Sequence, residues 1–163
     1  MSLLATFVPT AVACAAAVLF ASAPGAQPAG GPEPTPELSP EAVVRIQAEA
    51  LRRNDEPAPD AGIATAFRFA SPSNRRATGP LARFARMIRG GYSDMIGFER
   101  AEYEPVRVVG DRAAQAVTLV QRDGRRVTYT FSLARQRGGA YDGCWMTDGV
   151  SEQPPPTNGL RRT

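Results

Sequence analysis

The chain has 163 residues, 43% of them hydrophobic and 21% charged, and its 19 basic and 16 acidic side chains leave a net charge of +3. Every basic residue is arginine, because the sequence holds neither lysine nor histidine; this excludes imidazole acid–base chemistry, serine–histidine and cysteine–histidine nucleophile pairs, histidine metal sites, lysine Schiff bases and a P-loop lysine. So mild a positive balance falls short of the concentrated basic surface of a nucleic-acid binder, and no nucleic-acid partner is expected.

Leu3 to Phe20 form an uncharged apolar run, followed by small residues and proline up to Gln27. This reads as a secretory leader over residues 1–25, with Ala23 and Gly25 placed for cleavage before Ala26. The expected destination is periplasmic or secreted. The alternative is a membrane anchor over residues 1–23, since Leu3 to Ala23 is just long enough to cross a bilayer at roughly 20 residues; the membrane is then touched only through the uncleaved leader. Ala11-Val12-Ala13-Cys14 loosely resembles a lipoprotein signal, but the apolar run continues past the cysteine. Once the leader is removed, Cys144 is the one cysteine left and no disulfide within the chain can form. Residues 26–38 alternate proline with small or acidic residues and read as an extended tether. A single domain over 39–151 and a frayed tail over 152–163 follow.

Ser39-Pro40-Glu41 is a helix start: serine caps, proline suits the first helical position and glutamate complements the positive dipole end. The first predicted helix runs from Pro40 to Arg53, with Val43, Ile46, Gln47 and Ala50 on one face. Asp60 is expected to cap a second helix over Ala61 to Ala70, which Ser71-Pro72 ends. A third helix begins after Thr78-Gly79-Pro80, turns Leu81, Phe84, Ala85 and Ile88 inward and leaves through Gly90-Gly91.

Beyond Phe98 the period changes to two. Val127, Tyr129, Phe131 and Leu133 alternate with Arg126, Thr128, Thr130 and Ser132, which predicts a strand with one apolar face. Four strands are predicted, over Glu102–Val109, Ala113–Gln121, Arg125–Gln136 and Tyr141–Val150, joined by tight turns at Asp123-Gly124 and Gly138-Gly139. Two-residue turns would set Val120 against Val127, Ala116 against Phe131 and Leu133 against Cys144. Val117, Leu119, Thr130, Ser132 and Trp145 would then share the face away from the helices.

Three helices ahead of a four-stranded antiparallel sheet predict an α+β domain with the helices packed on a curved sheet. That order suits the cone-shaped nuclear transport factor 2-like fold, with a cystatin-like arrangement as the alternative. The segments Asn54 to Ile63, Phe67-Arg68-Phe69-Ala70-Ser71, the Phe84 helix and Gly143-Cys144-Trp145-Met146-Thr147 resemble the family called domain of unknown function 4864. The resemblance covers about Pro40 to Val150 and implies a cone-like fold, but no established activity and no catalytic residue.

Binding candidates are Asp60 beside Gly62 at a helix start, Arg68, and the sheet patch of Val117, Leu119, Thr130, Ser132 and Trp145. A tryptophan on an open sheet face points to a second copy of the domain or another envelope protein. Arg75, Arg76, Arg83, Arg86 and Arg89 form a basic cluster that reads as a solvated face. Tyr92, Tyr103, Tyr129, Tyr141, Asp94, Glu102, Asp142 and Asp148 supply types for proton transfer, but no spacing identifies a pair. Cys144 lacks an activating neighbour and reads as a small buried hydrophobe. No cofactor and no metal is expected: Asp55, Glu56 and Asp60 lack calcium-loop spacing. The leading expectation is a non-enzymatic module that binds a small apolar ligand or a protein partner. The alternatives are a carboxylate/tyrosine enzyme and a self-associating structural module.

Overall fold

The computed structural model describes residues 31–154, so the leader, its cleavage site, Cys14, the start of the tether and the tail beyond 154 lie outside the described residues. Helices α1 (Pro40–Arg52), α2 (Ala61–Arg68), α3 (Pro72–Thr78) and α4 (Leu81–Gly91) precede strands β1 (Arg100–Tyr103), β2 (Arg107–Val109), β3 (Arg112–Val120), β4 (Arg126–Arg135) and β5 (Trp145–Glu152). The domain is α+β, with helices first and an antiparallel sheet after, and it has one helix and one strand more than the pattern predicts.

Both additions have local causes. Ser71-Pro72 stops α2 as expected, but the same pair starts α3: the Ser71 hydroxyl accepts from the Asn74 amide at 3.2 Å and Pro72 takes the first helical position. The first predicted strand divides around Pro105, which has no N–H to donate to the ladder. Its two halves, β1 and β2, both pair with β3 along one edge, and the remaining order is β3-β4-β5.

Ser39 caps α1 as its sequence predicts, accepting from the Ala42 amide at 3.1 Å. Val43, Val44, Gln47, Ala48 and Leu51 are its buried residues, while Ile46 and Ala50 are only half-buried. The buried stripe is thus rotated from the expected one.

The β3–β4 hairpin corrects the predicted register. The Gln121 amide donates to the Arg125 carbonyl at 2.8 Å and the Gly124 amide to the Gln121 carbonyl at 2.9 Å, so the loop contains Arg122, Asp123 and Gly124. Gly124 has φ 83, as the left-handed residue of a three-residue loop should. One extra loop residue moves Val127 from the expected Val120 to Leu119, and Val117 opposes Tyr129. A slip of one exchanges the faces of a whole strand. The β4–β5 turn is also longer than Gly138-Gly139 alone: it holds a short 3-10 turn at Gly139–Tyr141, and Leu133 pairs with Thr147 instead of Cys144.

Consequently Val117 and Leu119 join Tyr129, Phe131 and Leu133 on the face beneath the helices, and Trp145 belongs to the same core. The opposite face carries half-buried Thr118, Thr128 and Thr130 with exposed Ser132. There the Thr118 and Thr128 hydroxyls share a hydrogen bond of 2.8 Å, and Gln153 Nε2 donates to Thr130 Oγ1 at 2.6 Å.

Arg75 leaves the expected basic surface cluster and holds the end of α2. Its Nε donates to the carbonyls of Phe67 and Ala70 at 3.1 and 2.9 Å, one terminal nitrogen donates to the Arg68 carbonyl, and Nη1 donates to the Tyr141 hydroxyl at 3.1 Å. A helix C-terminus is electronegative, and a planar five-donor fork meets several carbonyls at once where an ammonium cannot. Arg75→Lys is expected to lower the urea-unfolding free energy by about 1–2 kcal/mol. The matched Arg76→Lys, on an exposed side chain, should leave it unchanged.

Candidate ligand-binding site

A cavity of about 160 Å3 lies between the helices and the β4–β5 half of the sheet. Leu51 of α1, Ala66 and Ala70 of the α2 region, Phe84 and Ile88 of α4, Met95 and Phe131 of β4 form buried, apolar walls. The space exists because α2 offers alanines where larger side chains would fill it, and because β5 supplies Gly149 next to a register shift against β4. Thr78, Met87, Tyr92, Gly149 and Val150 are half-buried and make the rim.

Five polar side chains reach this wall, from Gln47, Asn74, Thr78, Tyr92 and Thr147. Gln47 is 3% exposed, and its Nε2 donates to the Val43 carbonyl at 3.2 Å and to Thr147 Oγ1 at 2.7 Å. Asn74 Nδ2 donates to the Thr147 carbonyl at 3.0 Å, Thr78 Oγ1 to the Asn74 carbonyl at 2.9 Å and the Tyr92 hydroxyl to the Val150 carbonyl at 3.4 Å. Both Gln47 amide hydrogens are thereby spent on the protein, whereas Asn74 Nδ2 uses one of its two. The Gln47 and Asn74 amide oxygens, the second Asn74 Nδ2 hydrogen and the long-bonded Tyr92 hydroxyl are groups able to orient a ligand.

The lining includes no carboxylate. Asp94 is gripped by two Arg125 nitrogens at 2.7 Å each, which lowers its pKa. Glu102 sits between Arg126 and Arg100 and titrates at about 2, the hydrogen bond from Arg126 being the largest cause. Asp148 pairs with Arg112 at 2.9 Å. Burial works in the other direction on the phenols, pushing Tyr129 up to about 12 and raising Tyr103. Asp94 and Glu102 stay ionised in surface pairs while Tyr103 and Tyr129 stay protonated, and none of the described acids stands opposite a tyrosine across the cavity.

Of the residues singled out by sequence, Asp60 departs from its expected role. It takes a left-handed φ of 61 and makes no side-chain cap. Asn54 caps α2 instead, its Oδ1 accepting from the Ile63 amide at 3.0 Å, and Asp60 forms an ion pair with Arg89 of α4. Arg68 contacts Glu33 at 3.2 Å and the Pro32 carbonyl at 3.0 Å. Val117, Leu119 and Trp145 are 0%, 1% and 7% exposed beneath the helices, so they cannot share an open patch with Thr130 and Ser132 behind the sheet. Cys144 is free and buried, and burial raises its thiol pKa. Among the described residues no three His, Cys, Asp or Glu gather as a metal site, and no helix is long and apolar enough to cross a membrane.

Sequence reasoning missed the polar wall. Gln47 carried the available signal, a glutamine within the apolar stripe of α1, whereas Asn74 and Thr78 lie on a helix read as a loop. A family model described as domain of unknown function (DUF4864) matches residues 36–159. No curated protein and no solved structure gives a match.

Proposed function

We propose that this chain, which belongs to the DUF4864 family, is a non-enzymatic binding module for a small, mainly apolar ligand held in the cavity between helices and sheet. The observation that carries this reading is the cavity itself: apolar walls, a few convergent hydrogen-bonding groups and no lining carboxylate. Small-molecule sites have this makeup. A catalytic alternative would want a poised acid and base facing the same space, whereas Asp94, Glu102 and Asp148 are engaged with surface arginines and no carboxylate lines the cavity. The helices-then-sheet order supports a cone-like fold of the nuclear transport factor 2 kind, and the leader supports action outside the cytoplasm.

A dry cavity of about 150 Å3 holds one benzene ring, so this space suits one ring or a chain of about six carbons. Burying six methylene-sized groups at about 0.8 kcal/mol each gives a dissociation constant in the sub-millimolar to millimolar range. Accordingly, 1-hexanol should shift the NMR resonances of Met87, Met95 and Ile88 with saturation in that range. Ala66→Leu should fill the space and abolish those shifts while the domain stays folded. Failure of 1-hexanol to perturb these residues, or unchanged binding to Ala66→Leu, would defeat the reading.

A further inference from the structure

We infer that the ligand is an organic acid, with its apolar tail in the cavity and its carboxylate at Arg83 beside the rim; this rests on the reading of the cavity as a ligand site. Arg83 stands one helical turn before Met87 and directly before Phe84, both of which line the cavity. Its side chain folds back over Gly79, with Cδ and Nη1 at 2.9 and 3.5 Å from where a Cβ of that glycine would be. Gly79 follows Thr78, another rim residue. The guanidinium is therefore held beside the opening.

Its lack of a protein partner separates Arg83 from most arginines of the domain. Arg45, Arg52, Arg53, Arg89, Arg112 and Arg125 pair with carboxylates, and Arg75 and Arg135 donate to carbonyls. Among the described residues Arg76, Arg83, Arg86, Arg107 and Arg122 have no such acceptor, and of these Arg83 is the one that stands a turn before Met87 on α4, where Arg89 pairs with Asp60. Arg86 lies one turn from Arg83 and adds to the positive field, while no acidic residue lines the opening to oppose it. An anionic head would meet a free planar donor there without displacing an existing pair. A neutral ligand would leave that donor in water.

The test compares hexanoate with 1-hexanol, by NMR titration of the full domain at pH 7 and low salt. Hexanoate should bind about fivefold to tenfold more tightly, the preference of an exposed charge-assisted contact. Arg83→Gln should erase that preference, leave 1-hexanol binding unchanged and keep the wild-type melting curve. Equal binding of both compounds to the wild type, or a preference that survives Arg83→Gln, overturns the assignment of the acid while the cavity reading stands. If neither compound binds, the cavity reading fails and this inference falls with it.

Discussion

Trp145→Ala should destabilise the domain by about 3–5 kcal/mol, the cost of emptying a well-packed aromatic site, and leave its mass in solution unchanged. Trp145 is 7% exposed, packs in the common core and carries the Arg135 guanidinium 5.9 Å above its ring centre. Such a loss is a large part of the 5–15 kcal/mol that holds a domain together. Urea unfolding combined with light scattering checks both halves of the expectation. A variant that folds as the wild type does but loses self-association would return the indole to an interface.

The fate of Trp145 shows where the sequence stops being legible. Hydrophobic period two located β4 and its apolar face, because that signal is carried by Val127, Tyr129, Phe131 and Leu133 themselves. Which residues of β3 and β5 share the face depends on loop length, and glycine is compatible with more than one length. Asp123-Gly124 reads equally as a two-residue turn or as the last part of Arg122-Asp123-Gly124 with Gly124 at the left-handed position. The second is realised, and one residue of slip buries Val117 and Leu119. The cap of α2 was illegible for a related reason. Asp60 stands at the expected place in the chain, but Asn54, nine residues before Ile63, reaches the free amide through the folded loop. The cavity was less visible still, since its volume is what Ala66, Ala70 and Gly149 leave unfilled among side chains from six elements. Only Gln47 announced itself, by being polar on a buried stripe.

Gly62→Ala is the second substitution with a large expected effect, because it tests the close approach of α1 and α2 that supports one side of the cavity. A Cβ on Gly62 would stand 2.1 Å from the Ala50 carbonyl oxygen, 2.7 Å from its carbon and 2.8 Å from the Asn54 Cα. All three are backbone atoms, so no rotamer change relieves the overlap and the helices must part. The same approach lets the Gly62 amide donate to the Asn54 carbonyl at 2.9 Å while Asn54 Oδ1 caps Ile63 at 3.0 Å. Separation would therefore break two hydrogen bonds as well as open the packing beneath Ile63. About 3 kcal/mol or more of lost stability is expected, the upper range for overpacking a core, and the thermal midpoint should fall by roughly 10 °C or more. Gly90→Ala is the matched control. Gly90 is exposed near the end of α4 with nothing within 4 Å of an added Cβ, so the same change there should be neutral or stabilise by up to about 1 kcal/mol through helix propensity. Opposite signs at the two glycines, read in parallel calorimetric scans, would establish that Gly62 is kept for contact between backbones. A Gly62→Ala variant as stable as the wild type would mean that α1 and α2 do not pack at this distance, and the wall that Leu51 and Ala66 give the cavity would have to be redrawn.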